Sequence, residues 1–396
     1  MCYEKYSIKG GIYIVKEIKL TRHIDSKVER ELWARAAGRC QFSGCNRLLY
    51  KSPITQESVN ISEKAHIYSF SESGPRGWGP FKTRLSNLNG IENLTLMCHD
   101  CHKLIDADKS GEKYSGFLLQ QWKREHEKRI ANVTGIASDK KSHIVFYGSN
   151  IGAQFSPLNK EEAIQAIFPN RYPAEENPVA ISMAWSQQDH SPEFWVAESI
   201  NLKSEFESEV EKRIRNKNGA HFSLFSLAPM PLLIQLGTLF TDKVDVDVYQ
   251  PIREPKTWVW QDFPEGFEFQ IKQPADFAHP PVLIISLSDK ISFDRIHSIL
   301  GHDVSIWELT VKDDLVGNDI IRSKAQLAMM RTVVREIMRS IKEKHGFSTP
   351  LRIFPAMAVS CAVEMGRARM PKAEMPWVIY DQNNQEKMFI KTLLIE

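Results

Sequence analysis

Two cysteine pairs, Cys40-x4-Cys45 and Cys98-x2-Cys101, have the spacing of a tetrahedral sulfur site, and they bracket His66 and Asn93. Structural zinc takes four N or S ligands, and two short pairs far apart in sequence supply them by stapling a knuckle to the start of a helix. The second pair runs directly into His102, with Asp106 four residues later. On a helix both project from one face and can share one divalent ion, Mg2+ or similar. Phosphodiester hydrolysis needs a base for water, a cation at the phosphate and leaving oxygen, and a group that orients the base. His66, in the strand-like segment Glu63–Tyr68, is the candidate base. Asn93, five residues before Cys98, is the candidate orienting residue, placed to fix the local turn and the imidazole. Arg76, in the loop from Ser71 to Asn89 rich in Gly, Pro, Ser and Asn, is a candidate for phosphate contact or transition-state charge. His99 is read as a solvent-facing neighbour of the sulfur site.

These residues need elements to hold them. Residues 3 to 24 read as an extended arm or hairpin around Gly10 and Gly11. Asp25 or Ser26 then caps a helix to about Ala37, with Val28, Leu32 and Ala36 on one face and Gly38 ending it. A second amphipathic helix is expected at about 115 to 132, and the small, polar run at 135 to 142 reads as a domain boundary. The expected division is therefore residues 1–135, a linker at 136–142, and residues 143–396 in halves of about 143–270 and 271–396.

Bulk properties bound the function. At 396 residues, 42% hydrophobic and 25% charged, the chain reads as a soluble protein of two or three domains. Eighteen consecutive apolar residues occur nowhere, and lysines interrupt the N-terminal segment where a signal peptide needs an apolar core. The expected compartment is the cytoplasm, without a membrane partner. Residues 1–135 hold 22 Lys and Arg against 15 Asp and Glu, and the remainder 29 against 34, so the first third is net basic and the rest net acidic. A basic first third suits a polyanionic partner.

The later residues contain an internal repeat. Phe225–Gly237 aligns without a gap on Phe354–Gly366, and Val179–Ser186 matches Val282–Asp289 as an apolar strand running into a polar loop. Tyr249-Gln250 and Tyr380-Asp381 close the two copies. Helices are expected at about 203 to 217 (Phe206, Val210, Ile214) and 320 to 345. Strands alternating with helices predict two fused α/β halves with largely parallel, Rossmann-like sheets.

At this point the residues match known families. Residues 30 to 110 resemble the HNH endonucleases through the ordered Cys pairs, Ala65-His66-Ile67, Gly74-Pro75-Arg76-Gly77, Asn93-Leu94 and Cys98-x2-Cys101-His102. The resemblance implies a ββα-metal fold with His66 as base, Asn93 as orienting residue and His102 as catalytic-metal ligand. Many members carry a metal-binding His or Asp just before the base, where this chain has Ala65, so Asp106 is the expected substitute. Residues 143 to 396 resemble a SAVED domain, two fused CARF-like sensors of cyclic oligonucleotides, in the repeat, in His221–Pro231, Trp258-Val259-Trp260 and Ala362–Arg367. HNH followed by SAVED is the architecture of an antiphage CBASS effector class.

The resemblance implies a cyclic dinucleotide of the cyclic GMP-AMP type as activator, double-stranded DNA as substrate, and a dimer that assembles to a tetramer on ligand binding. In an open α/β sheet the ligand sits beyond the carboxyl ends of the strands, near helix N-termini. That placement nominates Trp185, Ser186, Gln187, Pro229, Met230, Ser360 and Arg367. Two other readings remain open from the sequence: a restriction-type HNH enzyme with a C-terminal target-recognition domain, and a zinc-dependent nucleic-acid-binding regulator without catalysis.

Overall fold

The computed structural model describes residues 2–6, 14–18, 21–148, 158–181, 191–216, 220–312, 315–371, 373–383 and 385–396. The chain divides into two compact units, Met1–Ala137 and Ser138–Glu396.

The first unit begins with an antiparallel hairpin of β1 (Cys2–Tyr6) and β2 (Ile14–Ile18). Helix α1 (Ser26–Ala36) follows, with the Asp25 carboxylate accepting from Lys27 N and Leu32 and Ala36 buried. Such a cap contributes about 1 kcal/mol. Its left-handed terminal residue is Ala37, one position before the glycine expected to end it. Strand β3 (Ser62–His66) pairs antiparallel with β4 (Leu94–Cys98), bringing His66 opposite Leu94 and Ser62 opposite Cys98. Between them lie three short 3₁₀ turns, Gly79–Thr83, Leu85–Asn87 and Ile91–Asn93. Strand β4 is buried along its whole length and passes directly into α2 (His99–Ala107), so the hairpin and helix form one continuous scaffold. Helix α3 (Gly116–Thr134) then packs on α1.

Among the described residues the second unit carries two sheets. The first is built from β5 (Lys141–Gly148), helix α4 (Lys160–Ile167), β6 (Tyr172–Pro173), β7 (Val179–Ile181), helices α5 (Pro192–Glu205) and α6 (Lys212–Asn216), β8 (His221–Leu227), α7 (Met230–Phe240) and β9 (Asp245–Val248). The second comprises β10 (Phe269–Lys272), β11 (Pro281–Ser286), α8 (Phe293–Leu300), β12 (Ser305–Val311), α9 (Lys324–His345), β13 (Leu351–Ala356), α10 (Val359–Ala368), β14 (Trp377–Asn383) and β15 (Met388–Ile395). All pairings in the first sheet are parallel, with β5 between β8 on one side and β6 and β7 on the other. The second runs β10-β12-β11-β13-β14-β15, a parallel centre with antiparallel edges. Strands β11 and β12 are buried at every position, as expected for parallel strands covered on both faces.

The repeat is visible in three dimensions. Phe225 stacks on Tyr249 with ring centroids 4.5 Å apart, and Phe354 stacks on Tyr380 at 4.4 Å. The match of Val179–Ser186 to Val282–Asp289 is corrected. The neighbour of β8 that corresponds to β11 beside β13 is β5, and β7 takes the outer position held by β12. Adjacent strands of a buried parallel sheet are all apolar runs, so a short apolar match carries no information about which strand it is. The helix expected at 203 to 217 starts at Pro192, capped by Ser191, and continues through a π-helical segment at Phe206–Glu211. Phe206, Val210 and Ile214 recur every four residues, a wider spacing than the α-helical period, and the π segment lies within that run.

Candidate active and ligand sites

In the first unit, the Cys40, Cys45, Cys98 and Cys101 sulfurs lie within 4.8 Å of one another, with Cys45 and Cys98 Sγ 3.9 Å apart. Tetrahedral sulfur ligands at about 2.3 Å from zinc stand roughly 3.8 Å apart, so the donor set and its spacing fit such an ion. Burial pushes the Cys40 thiol up to about 12, so the buried cluster needs a cation to hold its thiolates. The knuckle is sewn to β4 by Gln41, whose backbone N donates to Leu96 O (2.8 Å) and whose Oε1 accepts from Leu96 N (2.8 Å) and Thr95 Oγ1 (3.1 Å). His99 faces solvent, beside Glu63.

An open cavity of about 420 Å³ is lined by His66 from β3, His102 and Asp106 from α2, Arg76 from the long loop, and Arg22 and Lys64. His102 Nε2 lies 3.2 Å from Asp106 Oδ2 across one helical turn. A nitrogen and a carboxylate on one face fit two positions of a divalent ion's shell. The Asp106 bond raises the His102 pKa, while His102 and Arg76 hold Asp106 below its usual range against the effect of burial. Burial pushes the His66 pKa down, outweighing the opposing hydrogen bond to Asn89. His66 is therefore a neutral ring at pH 7, able to accept a proton.

Two residues are placed differently from the sequence expectation. Asn93 is wholly buried and does not reach the imidazole. Its Nδ2 donates to Tyr68 O and Leu88 O (both 2.9 Å), its Oδ1 accepts from Tyr68 N (2.8 Å), and its carbonyl accepts from Ile67 N (2.8 Å). It clips the two residues after His66, so it fixes the turn alone. The side chain on the imidazole is Asn89, with Oδ1 2.9 Å from His66 Nε2. Nothing in sequence spacing separates these two asparagines. Arg76 is not an exposed loop cation: its side chain is 3% exposed, its Nε donates to Ile67 O and its Nη1 to Ile105 O (both 2.6 Å). Its Nη2 lies 3.4 Å from Asp106 Oδ1. Carbonyls of β3's exit and α2 consume most of its five donors, which leaves it bracing Asp106 instead of free to bind phosphate.

In the second unit a cavity of about 410 Å³ lies beyond the carboxyl ends of β8 and β13 and is lined by Pro229 and Met230 and their repeat partners Ala358 and Val359. Neither Pro229 nor Ala358 caps its helix with a side chain. Ser360 is buried behind this wall, its N (3.1 Å) and Oγ (2.7 Å) donating to Gln250 Oε1, and Gln250 itself lines the cavity. Arg253, absent from the sequence reading, adds a cationic side chain. Arg367 is corrected from ligand contact to internal brace: it sits at the far end of α10, buried, paired with Glu364 (2.9 Å) and donating to the carbonyls of Val244 (2.9 Å) and Thr241 (3.2 Å). Trp185, Ser186 and Gln187 lie outside the described residues.

Residues 40–109 match the family model HNH_2, described as HNH endonuclease, and residues 202–395 match SAVED, the "SMODS-associated and fused to various effectors sensor domain". Among solved structures, the chain is similar to the Acinetobacter baumannii Cap4 SAVED/CARF-domain containing receptor with the cyclic trinucleotide 3'3'3'-cAAA. The identity is 12%, over 79% of this chain and 70% of that one, with a TM-score of 0.41. The corresponding Moraxella osloensis Cap4 receptor matches at 11% identity over the same shares, 79% and 70%, with a TM-score of 0.34. No curated protein matches the chain. Among the described residues, no helix is long and apolar enough to cross a membrane.

Proposed function

Because the chain joins an HNH endonuclease domain to a SAVED sensor domain, we propose that it is a CBASS effector nuclease that cuts double-stranded DNA when a cyclic dinucleotide of the cyclic GMP-AMP type occupies its sensor. The observation that carries the hydrolytic half is His66 sharing one cavity with the His102–Asp106 pair. His66 removes a proton from water, the water oxygen attacks phosphorus, and the bond to the leaving oxygen breaks. A divalent ion held by His102 and Asp106 would supply positive charge at the phosphate and leaving oxygen. Arg76 keeps the Asp106 carboxylate in place, Asn93 holds the backbone after His66, and Arg22 on the cavity wall, beside a Lys64 paired with Glu29, favours a phosphate backbone. The four cysteines hold a structural zinc that fixes the hairpin and helix carrying these groups.

The sensor half is supported by the cavity between the starts of α7 and α10. Pro231 has no N–H and the Ser360 N–H is held by Gln250, so the groups that would meet phosphates are the Met230 and Val359 N–H at the two helix starts and the Arg253 cation. Ligand control requires that the ligand bind the active arrangement better than the inactive one. Assembly of dimers into tetramers supplies that difference through new contacts between chains.

The test is purified protein with plasmid DNA and Mg2+, with and without a panel of cyclic di- and trinucleotides, alongside light scattering. Cleavage and a doubling of mass should appear together with one dinucleotide. Cleavage without any nucleotide, or dependent on DNA methylation, would overturn the sensor reading in favour of a target-recognition domain. Intact cleavage by His66→Ala would remove the catalytic assignment, and no cleavage under any condition would favour a binding protein.

A further inference from the structure

Asn89 makes three side-chain hydrogen bonds, and their directions are mutually constrained. Its Nδ2 lies 2.7 Å from Thr21 O and 3.0 Å from His23 O. Carbonyl oxygens only accept, so the amide nitrogen must point toward them; the flipped amide would aim its oxygen at two acceptors. Oδ1 is thereby committed to the remaining neighbour, His66 Nε2, at 2.9 Å. An amide oxygen also only accepts, so Nε2 must carry the hydrogen. In a neutral imidazole the lone pair then resides on Nδ1. Among the described residues no hydrogen bond reaches Nδ1.

We propose that Asn89 is the positioning residue for His66, holding the ring as its Nε2–H tautomer so that Nδ1 is the atom that takes the proton from water. The inference rests on the reading of His66 as the base. It adds which atom acts and which residue selects it. The support for Asn89 comes from 66 and 68 positions earlier in the chain, in the segment that precedes α1. Arg22, between the two carbonyls, lies over Phe70 at 5.6 Å, and the Phe70 ring is 6.0 Å from that of His66. Arg22 thus lines the cavity while its neighbours Thr21 and His23 anchor the amide. The wrong tautomer would set two lone pairs face to face in a half-buried site, a penalty that biases the ring by roughly tenfold or more.

The experiment uses the full chain labelled with 15N-histidine, with His66 assigned by the signal lost in His66→Ala. The wild type should show one long-lived tautomer protonated on Nε2. Asn89→Leu should show exchange between the two tautomers and a fall in kcat of about 10- to 100-fold with little change in KM. Asn89→Asp keeps an oxygen toward Nε2 but sets its second oxygen against the Thr21 and His23 carbonyls, so it should keep the Nε2–H tautomer while loosening residues 21–23. A kcat above that of Asn89→Leu then separates tautomer selection from the loosened segment. A proton on Nδ1 in the wild type overturns the inference, as does an Asn89→Leu ring that stays wholly Nε2–H with unchanged kcat. Either result leaves His66→Ala as the separate test of the base itself.

Discussion

Gly237 of α7 and Gly366 of α10 occupy equivalent positions of the repeat and meet where the two helices cross: a Cβ on Gly237 would run into the Val363 carbonyl, and one on Gly366 into the Ile234 carbonyl. The α7–α10 contact is the joint between the two halves, and the same two helices start at the cavity of about 410 Å³. Close backbone approach thereby fixes the spacing of the two helix N-termini.

Enlarging that joint should loosen both stability and sensing. Gly366→Leu is expected to destabilise the second unit by about 1–3 kcal/mol through overpacking. Calorimetry should show its transition lowered by several degrees, with weaker cyclic-nucleotide binding in the same variant. An unchanged melting temperature would mean that the helices can part at no cost.

Removing one sulfur should unfold the nuclease unit. With Cys45→Ser, or after strong chelation, the first unit should lose its bound metal and its cooperative melting, because metal binding and folding are coupled in so small a core. Elemental analysis paired with circular dichroism checks this. Full retention of structure after the metal is removed would show that the cluster is incidental.

The activity should persist into mildly acidic solution. Histidine is a base only when neutral, and burial holds the His66 pKa below its ordinary value of 6.5. At saturating Mg2+, which keeps the proton off His102, the acid limb of kcat/KM for the ligand-activated enzyme should therefore fall below pH 6.5. The sign for stability is the same: the unfolded chain binds this proton more readily, so the contribution is present above pH 6.5 and lost as pH falls through the folded pKa. An acid limb centred above pH 6.5 would contradict the buried, neutral ring.

Glu374 offers the opposite sign. Burial raises its pKa from 4.5 to about 7, against the attraction of Arg369, Lys342 and Arg335, and its Oε2 has no hydrogen bond among the described residues. The folded state therefore binds this proton more tightly than the unfolded chain, and stability is lost as pH rises from 4.5 through 7. Glu374→Gln should match the wild type at pH 5 and exceed it by about 1–2 kcal/mol at pH 8. Urea denaturation at the two pH values measures the difference, and equal gains at both would place the effect elsewhere.

The sequence by itself determined the family of each part, the fold class and the short-range chemistry. Paired cysteines, a His and an Asp one helical turn apart, and an apolar strand running into a helix are all encoded within a few residues of one another. Those distances are set by covalent geometry and helical pitch, so spacing alone carries them. What only the tertiary structure decided is which groups meet across long separations. Asn89 reaches His66 because residues 21–23 fold against it, while Asn93, four residues on, turns inward. Arg76 and Arg367, read as contacts for phosphate, are buried because carbonyls of distant segments gather around them. The equivalence of β5 with β11 follows from strand order, which apolar composition cannot encode because every buried strand of a parallel sheet looks alike.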